Sequence, residues 1–197
     1  MRYLGIMLAL GPSFIMPTLA LQLKGDFQNV TRLVPTGGVD AALLLNLECN
    51  SCREQHPNAV ALEPSNVDEM QKSRGEANLV INCPACRREN SATFIVKKPG
   101  SKDEGKLGEV SPWSEVAADD GAPEWHTICS LDFRGITPLD PSIDNVLPDD
   151  ATWTCYGTES NTPFTDVQFE EGEWHDYDDK ASDEVGITDV AFRWQKV

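Results

Sequence analysis

Four thiols in two short motifs are the residues of this chain best suited to chemistry: "ECNSCRE" at Glu48 to Glu54 and "NCPACRRE" at Asn82 to Glu89. Each motif holds a Cys-x-x-Cys, and 30 residues (53 to 82) separate the pair Cys49 and Cys52 from the pair Cys83 and Cys86. At this spacing two sulfurs can face one ion while the backbone turns beneath them. Two such knuckles complete a tetrahedron of thiolates around Zn²⁺, with Zn–S distances of about 2.3 Å. Cys49, Cys52, Cys83 and Cys86 are therefore the expected ligands of one zinc ion. With sulfur in all four positions none is left for water or substrate, so the ion is expected to be structural. Two disulfides or a thioredoxin-type dithiol are the competing uses of the same thiols. Disulfide scaffolds are small and cysteine-dense, whereas this chain has 6 cysteines in 197 residues. A catalytic Cys-x-x-Cys normally opens a helix in a βαβ setting, and no such pattern surrounds either knuckle.

A four-thiolate zinc centre carries a net charge of −2, and Arg53, Arg87 and Arg88, each beside a knuckle, are placed to offset it. The chain as a whole has a formal charge of −16, which repels nucleic acid and anionic membrane. Between Met70 and Lys98, however, Lys72, Arg74, Arg87, Arg88, Lys97 and Lys98 outweigh Glu76 and Glu89. A nucleic-acid face would interleave aromatics with these cations, and only Phe94 lies among them. No nucleic-acid partner is expected.

The elements that must hold the knuckles read as strands. Ala42 to Glu48 and Ala77 to Asn82 each lead into a Cys-x-x-Cys, the arrangement of a zinc ribbon. Further strands are expected at Ala20 to Phe27, Ser91 to Val96, His126 to Phe133, Ala151 to Tyr156, Thr165 to Phe169 and Thr188 to Gln195, where β-branched and aromatic residues concentrate. Ser65 to Lys72 is the one stretch with a short helical pattern. The fold class is mainly β.

The chain also repeats itself. "DFQNVTRLVP" (Asp26 to Pro35) returns as "DFRGITPLDP" (Asp132 to Pro141) at an offset of 106, each copy passing from a strand into a Thr and Pro-bounded turn. The offset sets Cys155 opposite Cys49 and Thr158 opposite Cys52, with no further knuckle after them. Two pseudo-symmetric β-rich halves follow from this: residues 20–98 with the zinc site and 125–197 without one. Between them, 99–124 is rich in Gly, Ser and charge and reads as a flexible linker. Cys129 and Cys155 are expected as buried thiols.

Residues 1–19 form an apolar leader, too short to span a membrane, which needs about 20 apolar residues. It reads as a signal peptide, which would put the cysteines in an oxidising compartment, or as a start that properly falls at Met16. A zinc thiolate site favours a cytoplasmic or nuclear protein, and hence the second reading. The run Glu170 to Glu184, "EEGEWHDYDDKASDE", holds 8 carboxylates and reads as a solvated acidic loop pinned by Trp174 and Tyr177, because its spacing does not match a calcium loop. His56 and His126 are isolated.

"LQLKGDFQNVTRL" (Leu21 to Leu33), "LECNSCRE" (Leu47 to Glu54), "SRGEANLVINCPACRRENS" (Ser73 to Ser91) and "EWHDYDDKASDEVGI" (Glu173 to Ile187) together resemble the eukaryotic CXXC-motif-containing zinc-binding protein family. The resemblance runs over nearly all of Ala20 to Val197. It implies a β-rich body of two related halves, one zinc on Cys49, Cys52, Cys83 and Cys86, and no established enzyme activity. Residues 1–15 have no counterpart in it, and the stretch 101–120 is longer than the pattern. The expected function is a non-enzymatic, monomeric zinc protein whose acidic half is solvated or contacts other proteins. The alternative is a thiol-based redox or metal-transfer protein with an exchangeable knuckle.

Overall fold

The computed structural model describes residues 18–71, 74–96, 107–119, 121–143 and 146–197. Strands β1 (Thr18–Gln28), β2 (Val30–Pro35), β3 (Leu43–Leu45), β4 (Leu47–Cys49), β5 (Val60–Leu62), β6 (Asp68–Glu69), β7 (Glu76–Ala77), β8 (Leu79–Asn82) and β9 (Glu89–Phe94) precede residue 97. After it come β10 (His126–Arg134), β11 (Ile136–Pro138), β12 (Trp153–Gly157), β13 (Pro163–Val167), β14 (Trp174–Asp178) and β15 (Asp183–Lys196). Among the described residues the only helical turn is a 3-10 turn at Gly38–Asp40. The protein is mainly β, as its composition of segments predicts.

A curled six-stranded sheet in the order β14-β15-β1-β10-β9-β8 forms the body. Antiparallel β1 and β10 lie at its centre, with Leu21 opposite Cys129, and the hairpins β14–β15 and β8–β9 flank them. β1 alternates as a half-buried strand should: Leu21 and Leu23 are fully buried while Gln22 and Lys24 face outward. At its start Val197 N donates to Thr18 O at 3.0 Å. Two small sheets cross between distant parts of the chain. β2 pairs with β12, and β4 pairs with β11, where Ile136 faces Cys49. Leu33, Leu43, Leu47, Leu62 and Val30 from the small sheets close over Leu21, Leu23, Ile128 and Leu131 of the large one to make the core.

Several local expectations are corrected by the structure. Ser65 to Gln71 is not helical: Asp68–Glu69 pairs with Glu76–Ala77 as a two-strand ladder, and Lys72 lies outside the described residues. The Thr and Pro-bounded turns after the repeat are the strands β2 and β11, whose carbonyls and amides are taken by β12 and β4. The acidic run contains the edge strand β14. Trp174 packs edge-on against Phe164 with ring centroids 5.5 Å apart, but Tyr177 is 50% exposed and pins nothing down. Of the expected linker, residues 107–119 and 121–124 are described, and this part is anchored. Val116 is fully buried and bridges to Leu33, and Trp113 stacks edge-on against Phe94 and donates Nε1–H to Gly38 O at 2.8 Å. Two large apolar side chains suffice to dock a segment whose composition is otherwise polar. The expected leader overlaps β1 at Thr18 and Leu19; residues 1–17, like Lys97 and Lys98 of the basic stretch, lie outside the described residues.

Candidate metal centre

Each knuckle is a turn that follows directly on a strand end, β4 for the first and β8 for the second. In the first, Cys49 N donates to Glu54 O (2.9 Å) and Arg53 N to Cys49 O (2.8 Å); in the second, Cys83 N donates to Arg88 O (2.9 Å) and Arg87 N to Cys83 O (2.9 Å). Both turns close through an arginine in the left-handed region, Arg53 at φ 63° and Arg87 at φ 58°. This geometry lifts the amides of the two middle positions toward the first sulfur, and N–H groups of Ser51 and Cys52 reach Cys49 Sγ as those of Ala85 and Cys86 reach Cys83 Sγ.

The two turns face each other. All four sulfurs lie within 4.8 Å of one another, with Cys49 Sγ 3.7 Å from Cys86 Sγ and Cys52 Sγ 3.6 Å from Cys83 Sγ. A tetrahedron with Zn–S of about 2.3 Å has edges of about 3.8 Å, so the donor set fits a four-coordinate soft-metal ion in both chemistry and size. Both of these contacts run between knuckles, and all six cysteines are free thiols. Cys49 and Cys83 are buried, Cys86 is half-buried and Cys52 is exposed.

The thiols do not titrate alike. Burial disfavours the Cys49 thiolate, but the Cys52 and Ser51 amides and the neighbouring thiols outweigh it and bring Cys49 down to about 6. Cys83 is lowered too, chiefly by the Cys86 amide. Cys52 is pushed up to about 12: the Glu54 backbone favours its thiolate, but burial and the three other sulfurs together prevail. Like charges at this spacing cannot all persist without a cation between them.

Of the three arginines expected to offset the centre, Arg88 crosses from the second knuckle to donate Nη1–H to Ser51 Oγ of the first at 2.9 Å. Arg53 instead turns to Glu48, 3.2 Å away at the surface. The first knuckle is also tied to the β10–β11 turn: Asn50 N donates to Gly135 O (2.9 Å) and Thr137 Oγ1–H to Asn50 Oδ1 (2.7 Å). Gly135 has φ 75°, and a Cβ there would overlap Asn90 Oδ1. None of the three histidines joins the sulfurs. His56 Nδ1 lies 2.9 Å from Asn58 O, and His126 Nε2 lies 2.9 Å from Asp119.

Cys129 and Cys155 are buried thiols, at 2% and 0% exposure. Burial raises both, Cys155 to about 12 with help from the Asp176 charge. Cys155 is not the counterpart of Cys49 that a constant offset suggests. The second half does contain turns built like knuckles, but the first begins two residues later, at Gly157, because β12 runs on past Cys155. Cys155 thus takes the strand position that Leu47 holds two residues before Cys49.

A mainly β body whose two Cys-x-x-Cys turns converge on one four-sulfur site is a cysteine-ligated metal protein. The family model described as CXXC motif containing zinc binding protein, eukaryotic, matches residues 20–195, and the chain belongs to that family. It is 30% identical over 181 residues to the Homo sapiens CXXC motif containing zinc binding protein, an alignment that covers 92% of this chain and 99% of the relative. The crystal structure of C1orf123 superimposes with a TM-score of 0.73 at 29% identity, covering 91% of this chain and 99% of that one. A hypothetical protein from Plasmodium falciparum shares the fold, with a TM-score of 0.70 at 19% identity over 91% of this chain and 100% of that one.

Proposed function

We propose that the protein is a non-enzymatic, monomeric zinc protein in which a single ion, held by Cys49, Cys52, Cys83 and Cys86, has a structural role. The observation that carries this reading is the convergence of four sulfurs from two strand ends at tetrahedral spacing. Bound there, zinc would supply a cross-link between β4 and β8, which share no ladder of their own. The donor set is closed, so the ion has no position for water or substrate. A zinc thiolate centre is best kept in a reducing compartment, which supports a cytoplasmic or nuclear location over a secreted one.

The body reads as two pseudo-symmetric halves, 20–98 and 125–197, joined through 99–124. Supporting this, β1–β2 and β10–β11 carry the sequence repeat, β1 faces β10, and each half lends its second strand to the other: β2 to β12 and β11 to β4.

The alternative, a metal-transfer or redox protein, draws on the exposure of Cys52. Native mass spectrometry of the purified chain, followed by a chelator challenge, separates the two. One zinc per chain that leaves slowly and takes the fold with it supports a structural ion. Fast loss with the fold intact supports transfer, and a metal-free mass lighter by four hydrogens would replace zinc by disulfides.

A further inference from the structure

Two turns in the second half repeat the backbone of the knuckles without their cysteines. At 157–162, Gly157 N donates to Thr162 O (2.9 Å), Asn161 N donates to Gly157 O (3.0 Å), and Asn161 has φ 54°. Those are the bonds and the left-handed residue of the turn at 49–54. Outside contacts repeat as well: Thr158 N donates to Asn29 O at 2.9 Å, in the turn between β1 and β2, as Asn50 N does to Gly135 O between β10 and β11. The partner turn, 178–183, joins β14 to β15 as 83–88 joins β8 to β9, and Ser182 there has φ 54° where Arg87 has 58°. In this correspondence Gly157, Ser160, Asp178 and Ala181 stand for Cys49, Cys52, Cys83 and Cys86.

What fills the place between these turns is a carboxylate. Asp178 is 1% exposed. Its Oδ1 accepts N–H from Lys180 (3.0 Å) and Ala181 (3.2 Å), the two amides that in the second knuckle point at Cys83 Sγ, and O–H from Thr162 (3.1 Å) across the gap. Its Oδ2 accepts O–H from Ser160, whose oxygen in turn accepts Thr162 N–H at 2.9 Å. A cation is not invited: the oxygens already face four hydrogen-bond donors, which is the lining of an anion site. Gly157 supplies the room, since a Cβ there would strike Asp178 Oδ2 and come within 2.6 Å of Ser160 Oγ.

We infer that the turns 157–162 and 178–183 are a metal-free counterpart of the zinc knuckles, in which the buried Asp178 carboxylate, held by Ser160 and Thr162, replaces the ion as the tie between two turns. The inference builds on the reading of the cysteine tetrad as a zinc site. The mechanism of the tie is otherwise the same: a charged centre stabilised by groups from both turns, here through charge-assisted hydrogen bonds.

The test is to give the second pair its sulfurs. The variant Gly157→Cys, Ser160→Cys, Asp178→Cys, Ala181→Cys removes both atoms that crowd position 157 and should carry two zinc ions per chain by native mass, against one for the unaltered protein. A folded variant that holds only one overturns the inference. Should that variant fail to fold, a cycle decides. Gly157→Ala alone should speed amide exchange of Lys180 and Ala181 by about tenfold or more, and add nothing in a Ser160→Ala, Asp178→Ala background. Equal effects in both backgrounds, or none in either, would overturn it. An unaltered chain without zinc would instead sink the tetrad reading, and the exchange cycle would still judge the carboxylate tie.

Discussion

Cys52 Sγ lies 3.6 Å from Cys83 Sγ although the two stand 31 positions apart in sequence. That proximity is made by two strand ends that do not pair, so the sulfurs converge only because the β11-β4 sheet sits beside the edge of the six-stranded sheet that ends in β8. Removal of one sulfur therefore acts on tertiary structure. Structural zinc in finger peptides is worth about 10 kcal/mol or more, comparable to the entire stability of an ordinary domain at about 5–15 kcal/mol. Cys83→Ser should lose zinc and soluble folded protein together, read by zinc content and the melting curve. A stable, folded Cys83→Ser chain would show that the ion does not hold the fold.

Thiol alkylation counted by mass should fall into two classes. As a chelator draws zinc off, and before the fold that the ion supports is lost, Cys49, Cys52, Cys83 and Cys86 should label first. Cys129 and Cys155 should resist until the fold itself opens, because burial both hides them and disfavours their thiolates. Labelling of either one in the native, zinc-loaded protein would contradict the packing.

Gly135→Ala should cost about 1–3 kcal/mol, since the residue sits at φ 75° with Asn90 against it. Because Gly135 O also receives Asn50 N of the first knuckle, the variant should give up zinc to a chelator faster than the unaltered chain. Urea titration and a colorimetric zinc release assay measure the two effects separately. Loss of stability with unchanged release would mean that the turn does not brace the metal site.

These effects divide between what could be read from residue types and what could not. The knuckles were legible because metal chemistry requires their spacing, and the repeat because an Asp-Phe start and a Thr-x-Leu-x-Pro tail survive in both copies. Strand exchange was not legible: nothing local in Val30–Pro35 says that its partner is Trp153–Gly157, and the residues read equally well as a turn. The extension of β12 by two residues was hidden too, so the constant offset aligned Cys155 with Cys49 when the structural equivalent is Gly157. β14 was concealed by its own exposure, since an edge strand with one wet face can carry the charge of a loop. In 107–119 the burial rests on Trp113 and Val116 alone, too few residues to alter the composition of the segment.

Trp113→Ala should cost about 3–5 kcal/mol, the usual range for deleting a buried large aromatic. The ring contact with Phe94, 5.4 Å between centroids, and the bond to Gly38 O are lost together. Urea unfolding monitored by far-ultraviolet dichroism tests this. A loss under about 1 kcal/mol would mean that the segment lies loosely on the core.

Asp178 sets an acid limit. The Ser160 hydroxyl, then the Ala181 amide, Thr162 and the Lys180 amide hold its carboxyl below the usual range, against the pull of burial. Glu159 and Asp183 line the same small cavity from the adjoining turns. A carboxyl depressed in the folded state contributes stability above its unfolded value of about 3.9, and the contribution fades as pH falls through the folded value. The stability gap between the unaltered chain and Asp178→Asn should be full at neutral pH and close steadily below about pH 4. Zinc release at acid pH is common to both chains and cancels in the difference. A gap independent of pH would mean that the charge on Asp178 is not what the turns require.

β1 sits between β10 and β15, and Leu19 pairs with Leu131 on one side and Lys196 on the other. During synthesis this central strand emerges ahead of the other described strands, yet its second neighbour follows all of them. The knuckle turns, complete by Arg88, leave the ribosome long before that. Until β15 emerges the nascent chain must carry Leu21 and Leu23 without that neighbour beside them, the interval in which such a protein depends most on chaperones.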